Sequence, residues 1–173
     1  MPTSNERATP QVIYRRAEPG DAEAAAQLAA QVFAGVSFDY LVEQRWGLLN
    51  GTTWRERKMW QVREEVEAEP HSAIVAEADG ELIGFVTTRF ESRSAVGRIL
   101  NLAVAQEWQG QGIGKRLLAE AYRLLRDRGA KYLRIETLET NEVGKHLYPK
   151  LGFREVVRQI YYFMGVEEWQ GPR

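Results

Sequence analysis

The stretch Gln109-Gly110-Gln111-Gly112-Ile113-Gly114-Lys115 places three glycines at alternate positions, just after a β-rich run that ends Leu102-Ala103-Val104. Residues without side chains let the backbone approach an anion closely, and a helix starting here would aim its free amides and its dipole at that anion. A diphosphate is the natural ligand for such a turn. Two familiar glycine motifs fail on spacing. A P-loop needs glycine at position 109 and Ser or Thr after its lysine, where this chain has Gln109 and Arg116. A dinucleotide fingerprint starting at Gly110 needs a third glycine where Lys115 stands. The plain alternative is a turn that only joins strand to helix, against which the regular spacing and the flanking Gln and Lys speak.

The elements that must position this turn follow from the hydrophobic pattern. Ile113, Leu117, Leu118, Ala121, Leu124 and Leu125 fall on one helical face, and Gly129 is placed to end that helix. Upstream, Val12-Ile13-Tyr14 reads as a strand, Pro19-Gly20-Asp21 as a turn and cap, and an Ala-rich helix follows with Leu28, Val32 and Phe33. Residues 38–69 read as two helices broken at Asn50-Gly51, the second opened by Thr53 and Glu56 at capping-box spacing and stopped by Pro70. Two β-rich runs at 73–76 and 82–86 flank Asp79-Gly80, a strong hairpin signal. Residues 99–104 form a further strand, 132–135 the next, 141–151 a short helix, and 153–166 one or two closing strands. The order predicts a mixed α/β domain over residues 11–166, with loose tails at 1–10 and 167–173.

Composition narrows the partners. The 173 residues suit one domain, and a formal net charge of −1 offers no general field for nucleic acid or a membrane surface. There is no cysteine, which excludes disulfides, Cys-based zinc sites and an acyl-cysteine intermediate. The two histidines, His71 and His146, have no partner at metal-ligand spacing, so no metal is expected. With no long apolar run and no signal-peptide pattern, the chain reads as soluble and cytoplasmic.

Gln109, Gly112 and Gly114 also fill the pyrophosphate signature of the GNAT-type N-acetyltransferase superfamily, which the chain resembles over most of residues 11–166. Arg15-Arg16-Ala17-Glu18-Pro19-Gly20-Asp21 is similar to that family's first strand and turn, and Asn141, Gly144, Leu147-Tyr148, Lys150 and Gly152-Phe153 to its second signature. The resemblance implies a mostly antiparallel central sheet of six to seven strands, splayed between the fourth and fifth and flanked by four to five helices. It implies acetyl-CoA as co-substrate, held along Leu102, Ala103 and Val104, at residues 109–115 (Gln109, Gly110, Gln111, Gly112, Ile113, Gly114, Lys115), and at Asn141. Gly144 stands where the family more often has alanine, which weakens the helix slightly and leaves the site intact.

Acyl transfer to an amine needs a proton taken from the ammonium and a proton given to the departing thiolate. Tyr148 occupies the position of the family's general-acid tyrosine, seven residues beyond Asn141. Glu136, in Ile135-Glu136-Thr137-Leu138-Glu139-Thr140-Asn141, resembles the base of ribosomal-protein N-terminal acetyltransferases; a solvated strand carboxylate is the competing reading. The base position of histone-acetylating members corresponds to Arg98, which accepts no proton at neutral pH. Glu139 either meets a substrate ammonium or faces solvent. Trp46, Trp54 and Trp60, interspersed with Arg55, Arg57, Lys58 and Arg63, suit an acceptor wall or a dimer face, with core packing expected for at least two of the three. The expected activity is direct acetyl transfer to a primary amine in a ternary complex, the acceptor being a protein N-terminus or a small amine such as an aminoglycoside or polyamine. A non-catalytic acyl-CoA sensor is the alternative, and a homodimer is compatible with the resemblance.

Overall fold

A computed structural model describes residues 11–172. The tail expected over residues 1–10 lies outside the described residues. After β1 (Ile13–Arg16) come α1 (Ala22–Val32), α2 (Phe38–Trp46) and α3 (Trp54–Ala68), then β2 (Ala73–Ala78), β3 (Glu81–Glu91) and β4 (Val96–Val104). The chain closes with α4 (Ile113–Asp127), β5 (Tyr132–Ile135) and α5 (Glu142–Lys150).

The local signals act as the sequence implies. Asp79 and Gly80 take φ values of 51° and 82°, the paired positive angles of the tight turn whose twist matches a hairpin. Thr53 and Glu56 form a reciprocal capping box at the start of α3, and Ser37 caps α2 by accepting from the Tyr40 amide. Past the end of α4, Gly129 allows the Ala130 amide to reach back to the Leu125 carbonyl at 3.0 Å.

One sheet runs in the order β1-β2-β3-β4-β5. Its first four strands are antiparallel neighbours, and β5 pairs parallel to β4. α1 and α3 cover one face through Ala25, Ala26, Ala29, Val62 and Val66 against Val75, Phe85 and Ala103. α4 covers the other through Leu117, Leu118, Ala121 and Leu125 against Ala76, Val86 and Ile99. Gly97 sets that spacing, since a Cβ there would come within 2.9 Å of Leu125.

The five strands fall short of the six to seven expected. Residues 153–166 enter no strand; Tyr161 and Phe163 instead pack on Phe38 of α2, which holds the segment away from the sheet. Of the three tryptophans, Trp54 alone is in the core; Trp60 stands partly exposed off the buried row of α3, and Trp46, one turn beyond the buried Val42, is covered only in part, by Phe163.

Candidate active site

β4 and β5 are joined only from Val96↔Tyr132 to Ile99↔Ile135. Beyond that point β4 runs on to Val104 while the other chain leaves the sheet, so a wedge opens between them. The Ala105 amide donates to the Ile83 carbonyl of β3 at 2.8 Å. Antiparallel alternation then turns the backbone groups of Leu102 and Val104 away from β3, into the wedge. A bulge between Thr87 and Thr88 of β3 and the β4 residues opposite leaves Leu100 unpaired at the head of this stretch.

The glycine turn closes the far end of the wedge. Gly110 and Gly112 adopt φ values of 77° and 85°, and Gly112 is the N-cap of α4. With no side chain on the cap, the amides of Ile113, Gly114 and Lys115 are left for an outside acceptor, as an anion site needs. Gln109 ties the turn back to the strand, its Nε2 donating to the Val104 carbonyl at 3.0 Å, and Gln111 donates to the Glu107 carbonyl at 3.2 Å. A Cβ at Gly114 would sit 3.7 Å from Val104 Cγ2, in ordinary contact, so the two glycines do different jobs. Gly114→Ala is expected to leave stability within about 0.5 kcal/mol, whereas Gly112→Ala, forced into left-handed backbone, loses roughly 1–2 kcal/mol. Paired thermal melts of the two variants check this.

A groove of about 360 Å³ continues between α4 and α5, lined by Lys115, Glu142, Val143, His146, Leu147 and Lys150. Two ammonium groups over apolar walls suit a ligand with both phosphate and aliphatic parts. The free amides, the glycine cap and this lysine pair together fit the diphosphate of coenzyme A.

α5 starts at Asn141, whose Oδ1 accepts from the Gly144 amide at 3.0 Å. A Cβ on Gly144 would lie within 2.9 Å of Asn141 Nδ2, Thr137 Oγ1 and Tyr148 Cε2. The glycine therefore lets these three side chains converge. Tyr148 packs edge-on against Phe153, centroids 6.2 Å apart, and burial raises its phenol above the ordinary value. Its ring lies on the α4 side of the sheet, with Leu133, Ile135 and Leu147.

Glu136 follows the last residue of β5 and projects to the opposite side, by alternation from Ile135. Its carboxylate meets Arg98 at 2.9 Å and Arg134 at 2.8 Å. Arg98 also approaches Glu91 at 3.6 Å, and its Nε is buried without a hydrogen-bond partner among the described residues. Glu139 pairs with Arg158 at 3.1 Å in the open. His71 and His146 are exposed, and among the described residues no group of His, Cys, Asp or Glu is arranged to hold a metal.

One cluster beside the wedge escapes the sequence reading. Lys58, only 6% exposed, donates to Asn101 Oδ1 at 2.5 Å and Gln61 Oε1 at 3.1 Å. Asn101 Nδ2 in turn meets Glu65 at 2.6 Å and Thr87 at 3.0 Å. The available signal was spacing, because Lys58 interrupts the four-residue stripe Trp54, Val62, Val66 that buries one face of α3.

The split sheet and the glycine turn at its opening define an acyl-CoA N-acyltransferase architecture. The Acetyltransferase (GNAT) family model matches residues 38–153, and the chain belongs to that family. It is 29% identical over 117 residues to a mycothiol acetyltransferase of Rhodococcus jostii (strain RHA1), a match covering 64% of this chain but 38% of that protein. An aminoglycoside N(6')-acetyltransferase type 1 of Stenotrophomonas maltophilia is 30% identical over 108 residues, covering 58% of this chain and 71% of that one. Among solved structures, the aminoglycoside N-acetyltransferase AAC(6')-Iy in complex with CoA superposes with a TM-score of 0.64 at 19% identity, over 91% of this chain and 97% of that one. The chain thus shares its fold with a CoA-bound protein and spans well under half the length of the mycothiol relative.

Proposed function

We propose that the protein is an acetyl-CoA-dependent N-acetyltransferase that passes an acetyl group directly to a primary amine in a ternary complex. The observation that carries this reading is the wedge between β4 and β5, floored by the backbone of Leu102 and the amide of Val104, whose carbonyl is taken by Gln109, and capped by the free amides at residues 113–115. When bound, acetyl-CoA supplies an activated acyl group as a thioester. Gln109, Gly110, Gln111, Gly112, Ile113, Gly114 and Lys115 bind and orient its diphosphate, residues 102–104 align its pantetheine arm, and the Nδ2 of Asn141 is left to donate because Oδ1 already caps α5.

Tyr148 and Glu136 approach from opposite faces of the split sheet, which suits a reaction with two proton movements at its two ends. Tyr148 keeps its proton on Oη for the leaving sulfur, and Glu136 takes the proton released by the amine, through water. The two arginines that hold Glu136 fix the direction of its carboxylate. Glu136→Gln is expected to lower kcat/KM roughly 10²-fold at pH 7. The loss shrinks at high pH, where the amine sheds its own proton; a loss independent of pH would mean that Glu136 acts only through its ion pairs.

The acceptor is a small amine or a protein N-terminus; the relatives named for mycothiol and aminoglycosides favour the small amine. Among the described residues no helix is long and apolar enough to cross a membrane, and we assign the protein to the cytoplasm. The deciding experiment combines thermal melts with and without acetyl-CoA and thiol release against a panel of small amines and peptide N-termini. A ligand-dependent rise in melting temperature with thiol release for one amine class is expected. A rise without release from any acceptor points to an acyl-CoA sensor, and no rise at saturating ligand overturns the assignment of the glycine turn.

A further inference from the structure

Arg89 of β3, Arg98 of β4 and Arg134 of β5 are direct cross-strand partners, so their guanidinium groups leave three neighbouring strands side by side. All of them leave the same face. Their strand neighbours Phe90, Ile99, Leu133 and Ile135 belong to the core under α4, and alternation turns the arginines to the side that carries α1 and α3. Like charges placed directly opposite one another cost stability in a sheet, and this row runs across every strand at that end of the site.

The carboxylates nearby do not balance the row. Glu136 offers one oxygen, Oε1, to both Arg98 and Arg134, at 2.9 and 2.8 Å, and Glu91 stays 3.6 Å from Arg98. Glu65, on α3 over the same face, is taken by Asn101, Thr87 and Gln61. Arg89 is exposed and has no ion-pair partner among the described residues. Arg98 Nε is buried without an acceptor. Donors are thus left over, and the guanidinium fork matches the paired oxygens of a carboxylate or phosphate.

The row also stands at the chemistry. Arg98↔Arg134 is the pair immediately before Ile99↔Ile135, where the sheet splits, and Glu136 lies beside it. With strands about 4.8 Å apart, Arg98 and Arg89 stand roughly 5 and 10 Å across the sheet from β5. We propose that this row holds an anionic group of the acceptor. The substrate is then a small amine that also carries a carboxylate or phosphate, with its nitrogen at Glu136 and its anion roughly 5–10 Å away between Arg98 and Arg89. This deepens the reading of the protein as an N-acetyltransferase and rests on it. Such a site repels polycations, so aminoglycosides and polyamines are poor acceptors.

Three amines of one length isolate the charge: 5-aminopentanoate, its neutral amide 5-aminopentanamide, and the dication cadaverine, with O-phosphoethanolamine as the phosphate counterpart. Each is titrated calorimetrically into protein saturated with coenzyme A, then assayed for thiol release from acetyl-CoA. An anionic amine is expected to bind about tenfold more tightly than the amide or cadaverine, the worth of one hydrogen bond between charged groups, with the same preference in kcat/KM. Whichever of the two anionic amines binds better tells carboxylate from phosphate. In Arg89→Gln the preference is expected to shrink to about threefold or less, and Arg89→Glu is expected to reverse it in favour of cadaverine. Both variants are expected to melt with the parent, because the side chain is exposed. No measurable binding of either anionic amine overturns the proposal, as does cadaverine binding as tightly, or a preference that survives Arg89→Glu. The two readings fail separately: an anion preference without thiol release upholds the arginine site and overturns the transferase, and thiol release led by cadaverine does the reverse.

Discussion

Tyr148→Phe is expected to lower kcat by about 10²–10³-fold, within the range for loss of a positioned acid, while leaving the affinity for coenzyme A within a factor of two to three. The substitution removes one oxygen and keeps the ring that packs on Phe153, so the fold is expected to melt within a degree or two of the parent. The pH profile separates a proton donor from a spacer. A donor works only while protonated, and burial raises the Tyr148 phenol above its ordinary value. The parent's kcat therefore holds from neutral pH past ~10 and falls only above that. In the phenylalanine variant this alkaline fall disappears, whereas a residue acting by shape alone would leave it in place.

Asn101→Ala is expected to reduce stability by about 1–3 kcal/mol, because it strips the buried Lys58 ammonium of its short hydrogen bond and leaves Gln61 as its remaining hydrogen-bond acceptor. At roughly 2–4 °C per kcal/mol for a chain of this size, the melting temperature falls by about 2–12 °C. Replacing both partners, Lys58→Met with Asn101→Leu, is expected to restore more than half of the loss, since the buried ammonium is then gone and Glu65 keeps its bond from Thr87. Burial lowers the Lys58 pKa, its largest cause being desolvation, with Glu65 opposing it. The folded state therefore releases the Lys58 proton at lower pH than the unfolded chain. Stability tied to this group rises as pH climbs from the folded value towards the ordinary lysine value near ~10.4, and below the folded value the penalty is constant. Loss of Asn101 lowers the folded value further, so the gap between variant and parent narrows as the solution becomes alkaline. Urea unfolding at neutral and alkaline pH measures it.

What could be read directly from the sequence was whatever short-range chemistry decides. Asp79-Gly80 admits a narrow set of backbone angles, Thr53 and Glu56 cap one another across a single turn, and the three glycines at 110, 112 and 114 have no cheaper use than a backbone anion site. The wedge was legible through resemblance, and the strand pairing that stops at Ile99↔Ile135 matches it. Two features were hidden for the opposite reason. Lys58 looks like an ordinary surface lysine until α3 is laid on β4, because its partner Asn101 is brought to it only by the fold. Residues 153–166 have the composition of strands, but composition does not supply a neighbour, and here the aromatic contacts to α2 win over sheet pairing.

The four-residue parallel pairing of β4 with β5 also bears on how the molecule moves. β2, β3 and β4 follow one another through short turns and share long ladders, whereas β5 reaches its place only after α4 has crossed the sheet, and it is held by few backbone bonds. Such an element sits at the low end of the local stability scale and opens without the rest of the fold. Amide hydrogen exchange should therefore divide the sheet in two, with Val75, Phe85 and Ala103 exchanging only on global unfolding and Leu133 to Ile135 exchanging early. The boundary between these two rates runs along the wedge, so the molecule breathes at the seam where its substrates would enter.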